Sequence, residues 1–426
     1  MARPRVVIIG GGFGGLNAAK AFRRAEVDVT VLDRKNHHVF QPLLYQVAAA
    51  ALSPSDIASP IRWILRHQSN VRVWLSDVSH IDTAKRVVHL KGDPGEVPYD
   101  HLIVAAGATH SYFGHDDWRP HAPGLKTLED ALDIRVKVLR AFELAEIERN
   151  PVEQRRLLTF VVVGGGPTGV ELAGALAEIS RHALVNDFRT IDPETARIFL
   201  IEGGAAVLQT YPEPLPAFAR RALEKKGVAV WTGSAVTKIE AGVVHVGGDA
   251  IQAGTILWAA GVAASPLGAS LGLASEHVDR AGRVRVDADL TIPGCDSVYV
   301  IGDLAAFTTA DGATLPGVAQ VAMQQGVHAA RNIQATIAGT PRMPFVYRFY
   351  GNMATIGRNS AIGDFGWMRL KGYPAWLAWL FIHVVQLIGF RNRLSVLIQW
   401  ASSYFTYQRS VRLITDHEPD EQRPTP

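Results

Sequence analysis

The chain has 426 residues, enough for two or three domains with buried cores. It is 48% hydrophobic and 19% charged, and Lys+Arg 43 against Asp+Glu 40 leaves a net charge of +3. That near-balance excludes the concentrated basic face of a nucleic-acid binder. A single cysteine, Cys295, excludes an intrachain disulfide and a Cys-x-x-Cys metal or redox pair.

In chain order, residues 5–10 (Arg-Val-Val-Ile-Ile-Gly) read as a first strand, with no room before it for a signal or transit peptide. Gly10, Gly12 and Gly15 then fall on the Gly-x-Gly-x-x-Gly positions, with Phe13 and Gly14 between them. The first glycine permits a tight turn, the second close approach of a pyrophosphate, and the third close packing of helix on strand. The helix start offers unpaired N–H groups to phosphate. Residues 27–32 read as the next strand and deliver Asp33, 23 residues after Gly10, where a carboxylate accepts from ribose hydroxyls. Residues 57–67 read as helix, 71–75 as strand, and 97–104 as a strand leading into Ala105-Ala106-Gly107. Residues 111–126 read as a linker and 127–149 as a charged amphipathic helix.

The pattern then repeats. Residues 159–176 (TFVVVGGGPTGVELAGAL) match residues 5–22 (RVVIIGGGFGGLNAAKAF) in strand, turn and small-residue helix. The second motif is Gly164, Gly166 and Gly169, with Pro167 and Thr168 opening the helix. Glu202 is its carboxylate, 38 residues after Gly164, a wide spacing that implies an insertion over 181–195. Gly203 and Gly204 follow it with no Lys or Arg, so a 2′-phosphate is repelled and NADH is expected over NADPH. Residues 228–231, 243–246 and 255–258 read as strands, the last leading into Ala259-Ala260-Gly261. Residues 298–301 carry Gly302-Asp303 at a strand's carboxyl end, and 319–338 reads as helix. The expected fold is α/β: two Rossmann-like dinucleotide-binding domains, the second inserted in the first, with a C-terminal membrane-associating helical region. The domain limits are 1–115 and 286–340 for the first, 156–285 for the second and 341–426 for the tail.

Several side chains invite chemistry. Gln320 and Gln324 lie four apart on one helical face, and each amide can donate and accept, as a neutral carbonyl ligand requires. Glu171 is placed in the first turn of the second Rossmann helix, where the dipole favours a carboxylate. His37 and His38 lack further ligands at metal spacing, so no metal is expected. In the tail, residues 374–390 (PAWLAWLFIHVVQLIGF) are short for a membrane span, with Arg369 and Lys371 before them and Arg391 and Arg393 after. Trp400, Tyr404, Phe405 and Tyr407 follow among Arg409 and Arg412. This favours a helix pair lying on a bilayer over 374–414, against a buried dimerisation helix or a single span. Residues 418–426 read as disordered.

The two Rossmann units, the Ala-Ala-Gly after a strand in each, and the late Ile-Gly-Asp resemble the two-dinucleotide-binding flavoproteins. Asp33–Ala48, Ala319–Gly326, Tyr350–Arg358 and Gly389–Leu394 resemble type II NADH:quinone oxidoreductases over nearly the whole chain. The resemblance implies FAD on the first unit and NADH on the second, hydride transfer to the flavin, reduction of a membrane quinone, and no proton pumping. It implies FAD contacts at Gly10, Gly12, Phe13, Gly14, Gly15, Asp33, Arg34, Gln41, Val78, Ala106, Gly107, Asp303, Ala319 and Gln320. It implies NADH contacts at Gly164, Gly166, Pro167, Thr168, Gly169, Glu171, Glu202, Ala260 and Gly261. Glu171, Gln320 and Gln324 become the expected catalytic groups. The partners are quinone and a membrane surface, with a homodimer possible, and the expected place is the cytoplasmic side of a cell inner membrane, held peripherally. Relatives that act through paired or early cysteines are excluded, because positions 40–46 hold none and Cys295 comes too late. A soluble reductase of a protein acceptor, or an FAD- and NADH-binding redox sensor, stand as the alternatives.

Overall fold

The computed structural model describes residues 3–406 and 411–415, so Tyr407, Arg409 and residues 418–426 lie outside the described residues. The chain divides into two compact units: Met1–Val39, Ala58–His110 and Val262–Phe349, and Phe40–Ile57, Ser111–Gly261 and Tyr350–Pro426.

The first unit is built on a six-stranded sheet in the order Thr291–Ile292, Cys295–Val300, His101–Val104, Arg5–Ile9, Asp28–Asp33, Val71–Leu75. All pairs are parallel except the first. Val6 to Ile9 are buried throughout, as a parallel strand covered on both faces requires. Cys295 heads the strand Cys295–Val300. The expected helix over 57–67 is broken: Ala58–Pro60 pairs as a short strand with His37–Val39, and a helix follows only at Ile61–Leu65.

The helices Phe13–Ala21 and Ala319–Ile337 meet glycine to glycine. A Cβ on Gly326 would sit 2.2 Å from the Gly14 carbonyl oxygen, and one on Gly14 3.2 Å from that of Ala322. Gly326 is therefore a packing glycine. Gln325, 1% exposed, accepts from the Gly302 N–H at 2.7 Å and ties this helix to the turn that carries Asp303. Residues 341–349 form no strand but are pinned to the same helix. Gln324 donates to the Arg348 carbonyl and accepts from its N–H (2.9 and 3.0 Å), and Asn332 does the same with Met343 (2.9 and 3.0 Å).

The second unit holds a four-stranded parallel sheet in the order Val228–Trp231, Arg197–Ile201, Thr159–Val163, Thr255–Trp258. The helix Leu128–Ile147 starts on a capping box between Thr127 and Asp130, which satisfies two otherwise orphaned N–H groups. The helix Pro167–Glu178 runs on into a π-turn at Ile179–Ala183, and this extension together with the loop behind it accounts for the long spacing to Glu202. The tail departs from expectation. It begins with a three-stranded antiparallel sheet, Asn352–Gly357, Ser360–Asp364 and Arg369–Gly372. Gly174 lets helix Pro167–Glu178 close on the first of these strands, since a Cβ there would lie 2.4 Å from the Ile356 oxygen. The apolar run 374–390 is not one helix. Tyr373–Gln386 ends, Gly389 turns with φ +90°, and a second helix begins at Phe390–Thr406. Among the described residues no helix is long and apolar enough to cross a membrane.

Candidate active site

The first glycine turn leaves space where a ligand backbone would lie and none elsewhere. Gly10 has φ +98°, and a Cβ there would sit 2.3 Å from the Ala105 oxygen; one on Gly15 would sit 1.8 Å from the Gly10 oxygen. Around Gly12 and Gly107, by contrast, a Cβ would meet nothing within 4 Å. The helix Phe13–Ala21 has Gly12 as its N-cap with no side-chain cap, so its first N–H groups face this open cradle. Asp33 accepts from the Gly11 N–H at 2.5 Å and from the Lys35 N–H at 2.7 Å. Burial pushes its carboxyl above the usual range, and those two donors pull it back. His38, beside this turn, is buried at 3% exposure. Its Nδ1–H donates to the Gly11 oxygen at 3.1 Å, its ring meets Phe13 edge-on at 4.9 Å, and burial lowers its pKa to about 4. It braces the turn as a neutral group.

The remaining expected FAD residues divide. Ala106 and Gly107 close the strand His101–Val104, Asp303 lies in the short helical turn Gly302–Leu304, and Ala319 and Gln320 open the helix Ala319–Ile337. Arg34 is exposed beside Asp33. Val78 spends its side chain in the hydrophobic core with Val7, Leu32 and Leu90. Gln41 belongs to the second unit, where its amide donates to the Lys126 carbonyl at 3.4 Å.

The second turn repeats the first. Gly164 has φ +111° and would push a Cβ to 2.6 Å from the Ala260 nitrogen; Gly169 would push one to 1.8 Å from the Gly164 oxygen; Gly166 faces open space. Glu202 accepts from the Gly165 N–H at 2.6 Å and from the Gly204 N–H at 2.7 Å, the counterpart of Asp33 on Gly11. Pro167 stands at the first helical position, where its missing N–H costs nothing, with Thr168 after it. Phe113, a residue the sequence did not flag, lies against Gly261. A Cβ on that glycine would meet its ring at 2.5 Å, so the Ala260-Gly261 turn is covered by an aromatic ring.

Glu171 is not in the first helical turn. With Gly166 as N-cap, it falls one turn further in, beyond the helix end, and the dipole does not explain it. It lies half-buried at the wall of a cavity of about 430 Å³, within the 300–1,000 Å³ typical of ligand sites. No cation lies in ion-pairing distance among the described residues; the Thr355 N–H approaches at 3.4 Å. Burial raises its pKa to about 8, so it is protonated at neutral pH. Tyr211 next to it is pushed up by burial and by the carboxyls of Glu171 and Asp364. Glu171, Ala175, Glu178 and His182 form one row along the cavity, spaced four, three and four apart, as a helix face requires.

The opposite wall comes from the tail. Trp376 and Trp379 face the cavity from the first tail helix, and Trp400 and Tyr404 from the second. Trp400 and Tyr404, expected at a membrane interface, are turned inward. The Trp400 Nε1–H donates to Gln46 at 2.8 Å, and the Gln46 amide donates to the Tyr45 hydroxyl at 2.9 Å. Arg358 lies 4.1 Å over the Tyr404 ring and donates to its carbonyl. Buried Asp56 accepts from Ser395 at 2.7 Å and Gln399 at 2.9 Å, anchoring the second tail helix. Tyr45, Gln46, Asp56 and Arg358 were not singled out in the sequence as site residues. The segments holding Tyr45, Gln46 and Arg358 were, through their resemblance.

Two sheets, the second wholly parallel and the first parallel but for one edge pair, each end in a glycine turn gripped by a carboxylate and define an oxidoreductase of the FAD- and NAD-binding Rossmann type. The pyridine nucleotide-disulphide oxidoreductase family matches residues 4–326, and the NDH2 C-terminal domain matches 349–408. Type II NADH:quinone oxidoreductase Ndh of Mycobacterium tuberculosis is 45% identical over 427 residues, covering 98% of this chain and 91% of that one. The same organism's type II NADH:quinone oxidoreductase NdhA is 46% identical over 426 residues, covering 97% and 90%. NDH2 from Plasmodium falciparum in complex with NADH superposes with a TM-score of 0.88 at 19% identity, covering 97% of this chain and 100% of that one. The chain belongs to the type II NADH:quinone oxidoreductases.

Proposed function

We propose that quinone is reduced in the 430 Å³ cavity beside Glu171, and that the tail helices deliver it there from a membrane surface. The enzyme oxidises NADH with FAD and reduces a quinone; a protein acceptor is not favoured. The observation that carries the finer reading is the pairing of a mostly apolar cavity with a protonated carboxyl at its wall. Quinone reduction by NADH takes up one proton from outside the nucleotide. At neutral pH Glu171 holds a proton where a quinone oxygen would arrive, and it donates it there. Bound FAD supplies hydride acceptance and two-electron transfer. The cradle at Gly10–Gly15 with Asp33, and the turn carrying Asp303, hold it. The cradle at Gly164–Gly169 holds NADH, whose ribose meets Glu202. We assign residues 1–115 and 286–340 to FAD and 156–285 to NADH, although Phe40–Ile57 groups with the second unit and residues 262–285 with the first. Gln320 remains assigned to the flavin and quinone side, whereas Gln324, engaged at both ends by Arg348, acts by holding that segment.

The membrane assignment rests on the exposed apolar side chains of the tail, of which Tyr373, Leu377 and Phe405 also rim the cavity. Tyr373, Leu377, Phe381 and Val385 recur every four residues, all 45–71% exposed, and Phe390, Ile398 and Phe405 continue the apolar surface at 60–82%. Such a stripe on short helices suits a peripheral helix pair lying in the interface. We place it on the cytoplasmic side of a cell inner membrane. Ala401, exposed at the cavity mouth, gives the test. Ala401→Trp is expected to remove most quinone reduction while NADH still bleaches the flavin at the normal rate. Unchanged quinone turnover in that variant would place the quinone elsewhere.

A further inference from the structure

A second cavity of the same unit, about 680 Å³, shares Glu178, His182 and Arg358 with the first. Five cationic side chains line it, Arg181, Arg221, Lys225, Lys226 and Arg358, against the two carboxylates of Glu178 and Glu224. Both carboxylates are already matched: Glu178 by Lys226 at 3.1 Å, and Glu224 at 2.8 Å by Arg220, which is not part of the lining. Arg181 donates from Nη2 to the carbonyls of Ala196 and Gly227 at 3.4 and 3.2 Å and from Nη1 to the Ser180 hydroxyl at 3.4 Å, neutral partners that leave its charge. Arg221 and Lys225 stand exposed at the rim. In the wall, the Ser360 hydroxyl is buried with no hydrogen-bond partner among the described residues. Gly372, also in the wall, is the uncapped N-cap of Tyr373–Gln386, so the positive end of that helix adds to the field.

The charge has a defined neighbour. The exposed apolar row of Tyr373, Leu377, Phe381 and Val385 starts one residue after Gly372. A soluble phosphate would use only the cationic half of this arrangement; a molecule with an anionic head and apolar chains would use both. We propose that this cavity receives the phosphate headgroup of an acidic membrane phospholipid, its acyl chains lying along the exposed row, so that the lipid seats the quinone cavity against the bilayer. This rests on the membrane reading above and gives that surface a lipid class.

The test measures binding of the full-length, FAD-loaded protein to vesicles of phosphatidylcholine alone and of phosphatidylcholine with phosphatidylglycerol. The wild type is expected to bind the acidic vesicles at least about tenfold more tightly, with the advantage shrinking as salt rises. Arg221→Glu/Lys225→Glu should abolish that preference, with binding to neutral vesicles and turnover of a water-soluble quinone unchanged. Arg62→Glu/Arg391→Glu makes the same charge change at residues that do not line the cavity, and should keep most of the preference. A rim variant that retains the preference, or a control that loses as much, overturns the proposal. Equal binding of the wild type to both vesicles also overturns it but leaves the membrane reading intact. Binding to neither overturns both.

Discussion

Glu171→Gln is expected to slow flavin reoxidation by quinone by about 10²- to 10³-fold while leaving flavin reduction by NADH within about twofold of wild type, a loss typical of removing a positioned proton donor. The amide fills the same volume and still donates a hydrogen bond, but it has no proton to give up. The wild-type quinone step should also depend on pH in one direction. The protonated carboxyl is the active form and its pKa is about 8, so the rate holds below that value and falls as pH rises through it. In the glutamine variant that inflection should be gone. Stopped-flow spectroscopy of the two half-reactions reads both. If the variant keeps the inflection, the proton comes from another group. The same substitution is expected to stabilise the fold. An unfolded glutamate ionises near 4.5, so the raised folded pKa makes stability greatest at low pH and lowers it progressively as pH rises from 4.5 to about 8. At pH 7 the folded chain bears a cost of order 3 kcal/mol that glutamine does not. A gain in melting temperature alongside the loss of quinone turnover is the expected pair.

The second large effect concerns the glycine turns. Gly169→Ala places a methyl 1.8 Å from the Gly164 oxygen, a backbone clash that no rotamer relieves, and the turn must open. The variant is expected to purify yellow, with FAD in place, and to lose reduction by NADH by at least about 10²-fold, as misplacement of a bound reactant costs. Gly15→Ala makes the same 1.8 Å clash with the Gly10 oxygen, yet should give the opposite outcome, a colourless protein. The flavin absorbance of the two purified variants distinguishes the sites. If Gly15→Ala is yellow, or Gly169→Ala is colourless, the assignment of FAD to the first turn and NADH to the second is reversed.

The contrast between these turns and the tail shows what a sequence can convey. The turns are local. Five or six consecutive residues dictate backbone angles and contact one neighbouring strand, so Gly10–Gly15, Gly164–Gly169, Asp33 and Glu202 were legible. The spacing of 38 to Glu202 is taken up by a longer helix, a π-turn, a loop and the short turn Pro193–Thr195, in the stretch where an insertion was expected. Other features depend on partners far along the chain. Trp400 reads as an interfacial aromatic until Gln46, 354 residues away, accepts its N–H. Asp56 drew no reading from the sequence, and its role appears only where Ser395 and Gln399 meet it. The strand Asn352–Gly357 lacks an apolar–polar alternation because helix Pro167–Glu178 packs against it, and so it did not stand out as a strand. Glu171 was legible as a residue of the second Rossmann helix, but not as a cavity-lining carboxyl. Its character comes from burial at a cavity that neither the helix nor the motif announces.

The central claim, that hydride enters from NADH and leaves as electrons to quinone, is tested most directly by mixing the anaerobic holoenzyme with excess NADH and then adding a short-chain quinone. Flavin absorbance should bleach on the first addition and return on the second, within the turnover time of the enzyme (median turnover is about 10 s⁻¹ across enzymes). Bleaching without return would contradict quinone as the acceptor, and no bleaching would contradict NADH delivery by the second glycine turn.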